Sequence, residues 1–110
     1  MTVRELAAAC GFEILCGGGE REVAGGVYCC DLLSIVMGRA PADCAWVTVM
    51  GNLNSIAVAV MADCACIVLA EGMPLDADAR DRAGREDVAV LATRLPVFQA
   101  ASALAKALGI

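Results

Sequence analysis

Val27-Tyr28-Cys29-Cys30 runs into Asp31-Leu32-Leu33-Ser34, and Ala45-Trp46-Val47-Thr48-Val49-Met50 runs into Gly51-Asn52-Leu53-Asn54-Ser55. These two junctions decide the fold. From Val23 to Gly72 the chain alternates short β-branched or aromatic runs with helical stretches, and small polar or acidic residues fill each junction. Strands that alternate with helices imply a mainly parallel sheet with helices on its faces. In such a sheet the strand-to-helix turns gather at the carboxyl ends of the strands, where α/β folds bind ligands. The expected architecture is a single α/β domain over residues 1–110, three-layer-like, with a mainly parallel sheet.

Working outward, Thr2 caps an opening helix, Val3 to Cys10, with Glu5 completing a capping box and Gly11 as its stop. Phe12 to Leu15 alternates as a short strand. Gly17-Gly18-Gly19-Glu20 is a loop, and Glu22 to Cys30 reads as a second strand interrupted at Gly25-Gly26. Asp31 caps the helix Leu32 to Arg39, and Pro41-Ala42-Asp43 turns into the strand Ala45 to Met50. Asn52 or Asn54 caps the helix that ends at Ala62, and Ala65 to Ala70 is the next strand. Asp76 caps a charged helix, Ala77 to Ala83, stopped by Gly84. Val88 to Ala92 is the last strand. Pro96 then opens a final helix that Gly109 ends, the usual asymmetry of proline at the start and glycine at the end.

Composition excludes several classes. Of 110 residues, 60% are hydrophobic and 19% charged, too apolar for a disordered chain. The net charge of −5 and the scattering of eight basic residues argue against nucleic acid, whose phosphates need clustered Lys and Arg. Mean hydropathy is +0.72. The most apolar window, Ser55 to Ala70, is nevertheless interrupted by Asp63, which costs roughly 2.5–3.5 kcal/mol at a bilayer centre. The flanking runs fall short of the ~20 residues a span needs. Met1-Thr2-Val3-Arg4-Glu5 lacks the basic region and apolar core of a signal peptide. The expectation is a cytoplasmic protein with no membrane partner.

Seven cysteines, an odd number, fit reduced thiols better than a disulfide framework. Cys10, Cys16, Cys44, Cys64 and Cys66 lie in or beside apolar runs, where free cysteine behaves as a small hydrophobe. Neither Cys29-Cys30 nor Cys64-Ala65-Cys66 has the spacing of a zinc ribbon, and there is no His to complete a mixed site. No metal and no cofactor is expected.

Catalytic signals are weak. The absence of His removes the commonest proton carrier at neutral pH, and Ser34 and Ser55 have no visible base. Gly17-Gly18-Gly19 lies between two strands and lacks both the context and the Lys of a P-loop. Trp46 and Tyr28 sit in strand runs and read as core. Glu71 reads as an exposed turn carboxylate. The helix segment Ile56-Ala57-Val58-Ala59-Val60-Met61-Ala62 has no polar residue on any side, so both of its sides should be covered. The sheet covers one. A neighbouring helix or a two-fold partner covers the other.

The residues also carry a resemblance. Thr2-Val3-Arg4-Glu5-Leu6, Arg21-Glu22-Val23-x-Gly25 with Val27-Tyr28, Asp31-Leu32-Leu33-Ser34-x-Val36-Met37, Ala45-Trp46-Val47-Thr48-Val49 and Ile56-Ala57-Val58-Ala59-Val60 look like the DRTGG domain. The likeness covers essentially the whole chain, and its most specific part is Asp31 to Met37. Similar domains occur as regulatory modules beside CBS domains, in long phosphate acetyltransferases, and near the amino-terminal domain of HPr kinase/phosphorylase. Small stand-alone versions occur in anaerobic bacteria, sometimes among genes for redox enzymes such as hydrogenases. The resemblance implies an α/β regulatory or ligand-sensing domain. The chain departs from it after the fourth strand, where Ala70-Glu71-Gly72 replaces a Thr-Gly-Gly-like turn and adds a negative charge against a phosphate.

The expected function is therefore a non-catalytic regulatory module, a homodimer that senses a nucleotide or other small anion. Candidate contacts are Asp31, Gly51, Asn52, Asn54, Ser55, Gly72, Thr93 and Arg94, all at strand-to-helix turns. The alternative is an accessory protein of a redox enzyme system whose exposed cysteines meet a metal or a partner.

Overall fold

The computed structural model describes residues 1–110. Its elements are α1 Val3–Cys10, β1 Glu13–Cys16, β2 Val27–Cys29, α2 Leu33–Arg39, β3 Ala45–Thr48, α3 Leu53–Ala62, β4 Cys66–Leu69, α4 Ala77–Arg85, β5 Ala89–Ala92 and α5 Val97–Leu108. The strands form one sheet in the order β1-β5-β4-β3-β2. β2 to β5 are parallel neighbours, and β1 joins β5 antiparallel, with Glu13 opposite Ala92. This is the α/β class with a mainly parallel sheet that the alternation of strands and helices implied.

Each step from β2 to β5 moves the same way across the sheet, and crossovers of one hand then place every connecting helix on one face. α2, α3 and α4 cover that face: Val36, Ile56, Ala59, Ala79 and Ala83 pack on Trp46, Ile67, Leu69 and Val90. The opposite face falls to the terminal helices. Leu6 of α1 and Ala100 and Leu104 of α5 pack on Val47, Val68 and Leu91. Alternate strand residues divide between the two cores as the pleat requires. Trp46 is fully buried, with its indole N–H donating to the Cys30 carbonyl at 2.9 Å, which makes it the core residue its strand position suggested.

Local signals held at several helix ends. Thr2 and Glu5 form a reciprocal capping box, and Gly11 closes α1 at φ 70°. The α3 cap is Asn52, whose side-chain oxygen accepts from the Ser55 N–H at 3.0 Å and from the Ser55 hydroxyl at 3.1 Å. Gly109 ends α5.

Elsewhere the structure corrects the sequence reading. The second strand spans only Val27–Cys29. Upstream of it, the Val23 N–H bonds to the Met1 carbonyl and the Gly25 N–H to the Asp43 carbonyl, so that segment ties loops together and extends no ladder. Asp31 does not cap α2, which starts after Leu32 with no side-chain cap. Asp76 occupies the first position before α4 but makes no capping bond either. α4 continues through Gly84 to Arg85, because a glycine inside a helix costs only about 1 kcal/mol and the Arg82–Glu86 and Arg85–Asp81 pairs support the last turn.

One turn recurs. β3, β4 and β5 are each approached through an aspartate in the left-handed region: Asp43 at φ 62°, Asp63 at φ 60° and Asp87 at φ 54°. Each is followed by Cys44-Ala45, Cys64-Ala65 or Val88-Ala89. After glycine, Asn and Asp enter that region most readily, so the same helix-to-strand return is built three times.

α3 is not covered on both sides within the chain. Ser55, Ile56, Val58 and Ala59 are buried, whereas Leu53, Val60 and Met61 stand open, Met61 at 69% exposure.

Candidate functional site

The chain leaving β4 runs to α4 on the face that α2 and α3 also cover, while the chain leaving β5 runs to α5 on the other face. Adjacent strands whose connections part in this way form the switch point at which open α/β sheets bind ligands. A cleft of about 710 Å³ opens there. Gly72 and Met73 beyond β4, and Ala92, Thr93, Arg94, Leu95 and Pro96 at the end of β5, form one wall. Because β1 runs antiparallel beside β5, its start lies at the same sheet edge. Cys10, Gly11, Phe12 and Glu13 therefore form the other wall.

The floor is tied down by the backbone. The Gly72 N–H donates to the Thr93 carbonyl at 3.0 Å and the Glu71 N–H to the Leu95 carbonyl at 2.9 Å. Glu71 and Gly72 both adopt positive φ, 62° and 67°. The Glu71 carboxylate reaches across to accept the Val97 N–H at 3.1 Å, in the first turn of α5. A helix N-terminus carries unpaired N–H groups and the positive dipole end, and here the chain's own carboxylate takes up part of that potential. Arg94 enters no ion pair and lies over Gly72, whose missing Cβ would sit 3.8 Å from the arginine Cγ. Met73 and Leu95 leave apolar surface exposed along the cleft. Burial pushes the Cys10 thiol above its ordinary value, so at neutral pH it is no ready nucleophile.

Of the eight residues singled out from the sequence, Gly72, Thr93 and Arg94 meet in this cleft. The other five do not line it. Asp31 bridges β2 to β3: its Oδ1 accepts from the Thr48 hydroxyl at 2.7 Å and the Val49 N–H at 3.1 Å. Gly51 lies beneath the β4–α4 loop, where a Cβ would come within 2.2 Å of the Pro74 carbonyl oxygen, and its own carbonyl accepts the Asp76 N–H at 2.8 Å. Asn52 is engaged as the α3 cap, Ser55 is buried behind it, and Asn54 is exposed.

Sequence reasoning did not single out Cys10, Phe12, Glu13, Met73 or Leu95, because a cleft wall made by antiparallel β1 leaves no local pattern. It described Glu71 as an exposed turn carboxylate and missed its bond to α5. No three Cys, Asp or Glu side chains come together as a metal site. Cys44, Cys64 and Cys66 are buried, Cys10, Cys16 and Cys30 half-buried, and Cys29 alone is exposed. No helix is long and apolar enough to cross a membrane.

No protein-family model matches the sequence, and no curated protein matches it. Among solved structures, the fold is similar to the CBS and DRTGG domains of the regulatory region of Clostridium perfringens pyrophosphatase, a structure complexed with the activator diadenosine tetraphosphate. The likeness has a TM-score of 0.73 over 96% of this chain, at 9% identity. The chain spans 46% of the length of that one, somewhat under half. At such identity the likeness concerns the fold, and the chain has a DRTGG-like α/β fold, in agreement with the resemblance its motifs carry.

Proposed function

We infer that this chain is a regulatory, ligand-sensing module without catalytic chemistry of its own, acting as a dimer and binding a nucleotide or similar small anion. The observation that carries the reading is the cleft at the β4–β5 switch point. Its volume lies within the range of small-molecule sites, roughly 300–1,000 Å³, and it combines an uncommitted cation, Arg94, with a hydroxyl, Thr93, and apolar surface on Met73 and Leu95. A phosphate would meet Arg94 and Thr93, and a base would lie on the apolar rim. The structurally similar pyrophosphatase region, which is regulatory and binds a dinucleoside polyphosphate, supports the same ligand class. The proposed dimer surface is the open face of α3, with exposed Leu53, Val60 and Met61, together with exposed Ile35 and Met37 on α2, the helix packed beside it. Apolar residues gathered on one face mark interaction surfaces.

The test is a thermal-shift screen of mononucleotides, dinucleoside polyphosphates and acyl phosphates, followed by calorimetry on any hit. A ligand bound only by the folded state raises apparent stability, by about 2.7 kcal/mol at a hundredfold excess over Kd. Arg94→Ala should weaken binding at least tenfold, while Arg39→Ala on α2, away from the cleft, should not. Binding unaffected by Arg94→Ala would place the ligand elsewhere.

A further inference from the structure

The opposite edge of the sheet holds a feature that the ligand reading does not use. Cys44 and Cys64 precede β3 and β4 in two copies of the same aspartate turn, and their Sγ atoms lie 3.7 Å apart in the core beneath α2 and α3. The backbone fixes them side by side. The Asp43 N–H donates to the Asp63 carbonyl at 2.8 Å and the Ala65 N–H to the Cys44 carbonyl at 2.8 Å. Arg21 then spans both turns, bonding Asp43 Oδ1 at 2.7 Å and both Asp63 Oδ1 and the Asp63 carbonyl at 2.8 Å. Cys66 faces the other core, so the pairing involves two thiols only.

We propose that Cys44 and Cys64 form a reversible intramolecular disulfide under a hydroperoxide, with the Arg21 clamp governing access. The geometry needs the two sulfurs to close by about 1.7 Å to reach bonding distance, across two turns already joined by backbone hydrogen bonds. The hydrogen bond from Cys64 and the Arg21 charge favour the Cys44 thiolate, whereas that same bond and burial hold Cys64 protonated. The Cys44 thiolate attacks the peroxide: an S–O bond forms, the O–O bond breaks, and the departing alkoxide or hydroxide takes a proton. The sulfur loses two electrons to the peroxide. Cys64 then attacks the Cys44 sulfenic acid. The S–S bond forms, the S–O bond breaks, and hydroxide leaves with the Cys64 proton as water. A dithiol reverses the bond. The bridge would close a loop carrying β3, the Gly51–Asn52 turn and all of α3, and so stabilise that whole unit.

Folded protein is treated with hydrogen peroxide, quenched, and examined by intact mass and peptide mapping, with the exposed thiol of Cys29 as the internal reference. The expected product has lost two hydrogens, maps to Cys44–Cys64, reverts with dithiothreitol and melts about 10 °C higher. Cys64→Ala should abolish the bridge and leave Cys44 as a trappable sulfenic acid, while Cys66→Ala, an equally buried substitution on the other face, should keep it. Arg21→Lys, which keeps the positive charge but lacks the planar fork that spans both turns, should speed bridging at least threefold. Cys44 and Cys64 remaining free while Cys29 is consumed, a bridge mapping elsewhere, or a rate in Arg21→Lys that is unchanged or slower would overturn the proposal. Each readout is independent of whether the β4–β5 cleft binds an anion.

Discussion

Gly51→Ala separates two roles that a glycine at a strand end can play. If Gly51 leaves room for a ligand, alanine should weaken binding and leave stability alone. The structure gives the space above it to the protein itself: an added Cβ would meet the Pro74 carbonyl oxygen at 2.2 Å and the Leu75 Cα at 3.0 Å. Both are backbone atoms, so no side chain can rotate away, and the β4–α4 loop must lift by about 1 Å to restore ordinary contact. Overpacking of this kind costs about 1–3 kcal/mol. Lifting the loop also stretches the bond from the Asp76 N–H to the Gly51 carbonyl, worth about 0.5–1.5 kcal/mol. Alanine recovers about 0.4–1 kcal/mol by restricting the unfolded chain. The balance is a loss of about 2–3 kcal/mol, or a fall of roughly 10 °C in Tm for a domain of this size. Urea unfolding followed by the fluorescence of Trp46, the sole and fully buried tryptophan, measures it directly. A change below about 0.5 kcal/mol would refute the argument that the loop requires this glycine.

Other outcomes follow from the same contacts. Glu71→Gln keeps an acceptor for the Val97 N–H and removes a negative charge near Arg94. Calorimetry should then show any anionic ligand binding about fivefold tighter, the equivalent of on the order of 1 kcal/mol of relieved repulsion. Met61→Glu, at an exposed position, should change monomer stability by under about 0.5 kcal/mol yet shift the molecular mass in light scattering from dimer to monomer. Thr48→Val removes a buried hydroxyl that donates to Asp31, and a double-mutant cycle with Asp31→Ala should return a coupling of about 1–2 kcal/mol. The Glu5 carboxylate is held below its usual value by the Thr2 backbone N–H and hydroxyl. Its contribution is therefore complete above about pH 4.3, the unfolded value, and is lost as pH falls through the lower folded value. Glu5→Gln should flatten that acid limb in urea titrations.

The features legible in the sequence were those that neighbouring residues determine. Thr2 with Glu5, Asn52 before α3, and Pro96 with Gly109 place helix ends because caps and stops act over three or four residues. Strand runs such as Ala45–Thr48 and Cys66–Leu69 were legible because burial on both faces makes them continuously apolar. The misreadings involve distant partners. Glu22 to Gly26 looks extended but bonds to Met1 and Asp43. Asp31 looks like a cap, yet its carboxylate is claimed by Thr48 on the next strand. The repeated Asp-Cys-Ala and Asp-Val-Ala triplets were the one unused local signal, since aspartate before a strand marks the left-handed return at residues 43, 63 and 87.

Strand order explains why the candidate residues divide as they do. The rule that ligands sit at the carboxyl ends of parallel strands gives Asp31, Gly51, Gly72 and Arg94 equal standing when the order is unknown. Once the order is β1-β5-β4-β3-β2, they are no longer equal. β2, β3 and β4 all send their helices to one face, so their connections stack on one another: Asp31 is drawn onto Thr48 and Val49, and Pro74 and Asp76 onto Gly51. Loops that pack together in this way fill the space a ligand would need. Only β4 and β5 send their connections to opposite faces, and only there does antiparallel β1 bring a second wall, Cys10 to Glu13, to the same edge. Gly72, Thr93 and Arg94 thus face open space because α5 leaves for the other face and because Glu13 of β1 pairs with Ala92 of β5, a contact that no local stretch of the chain encodes.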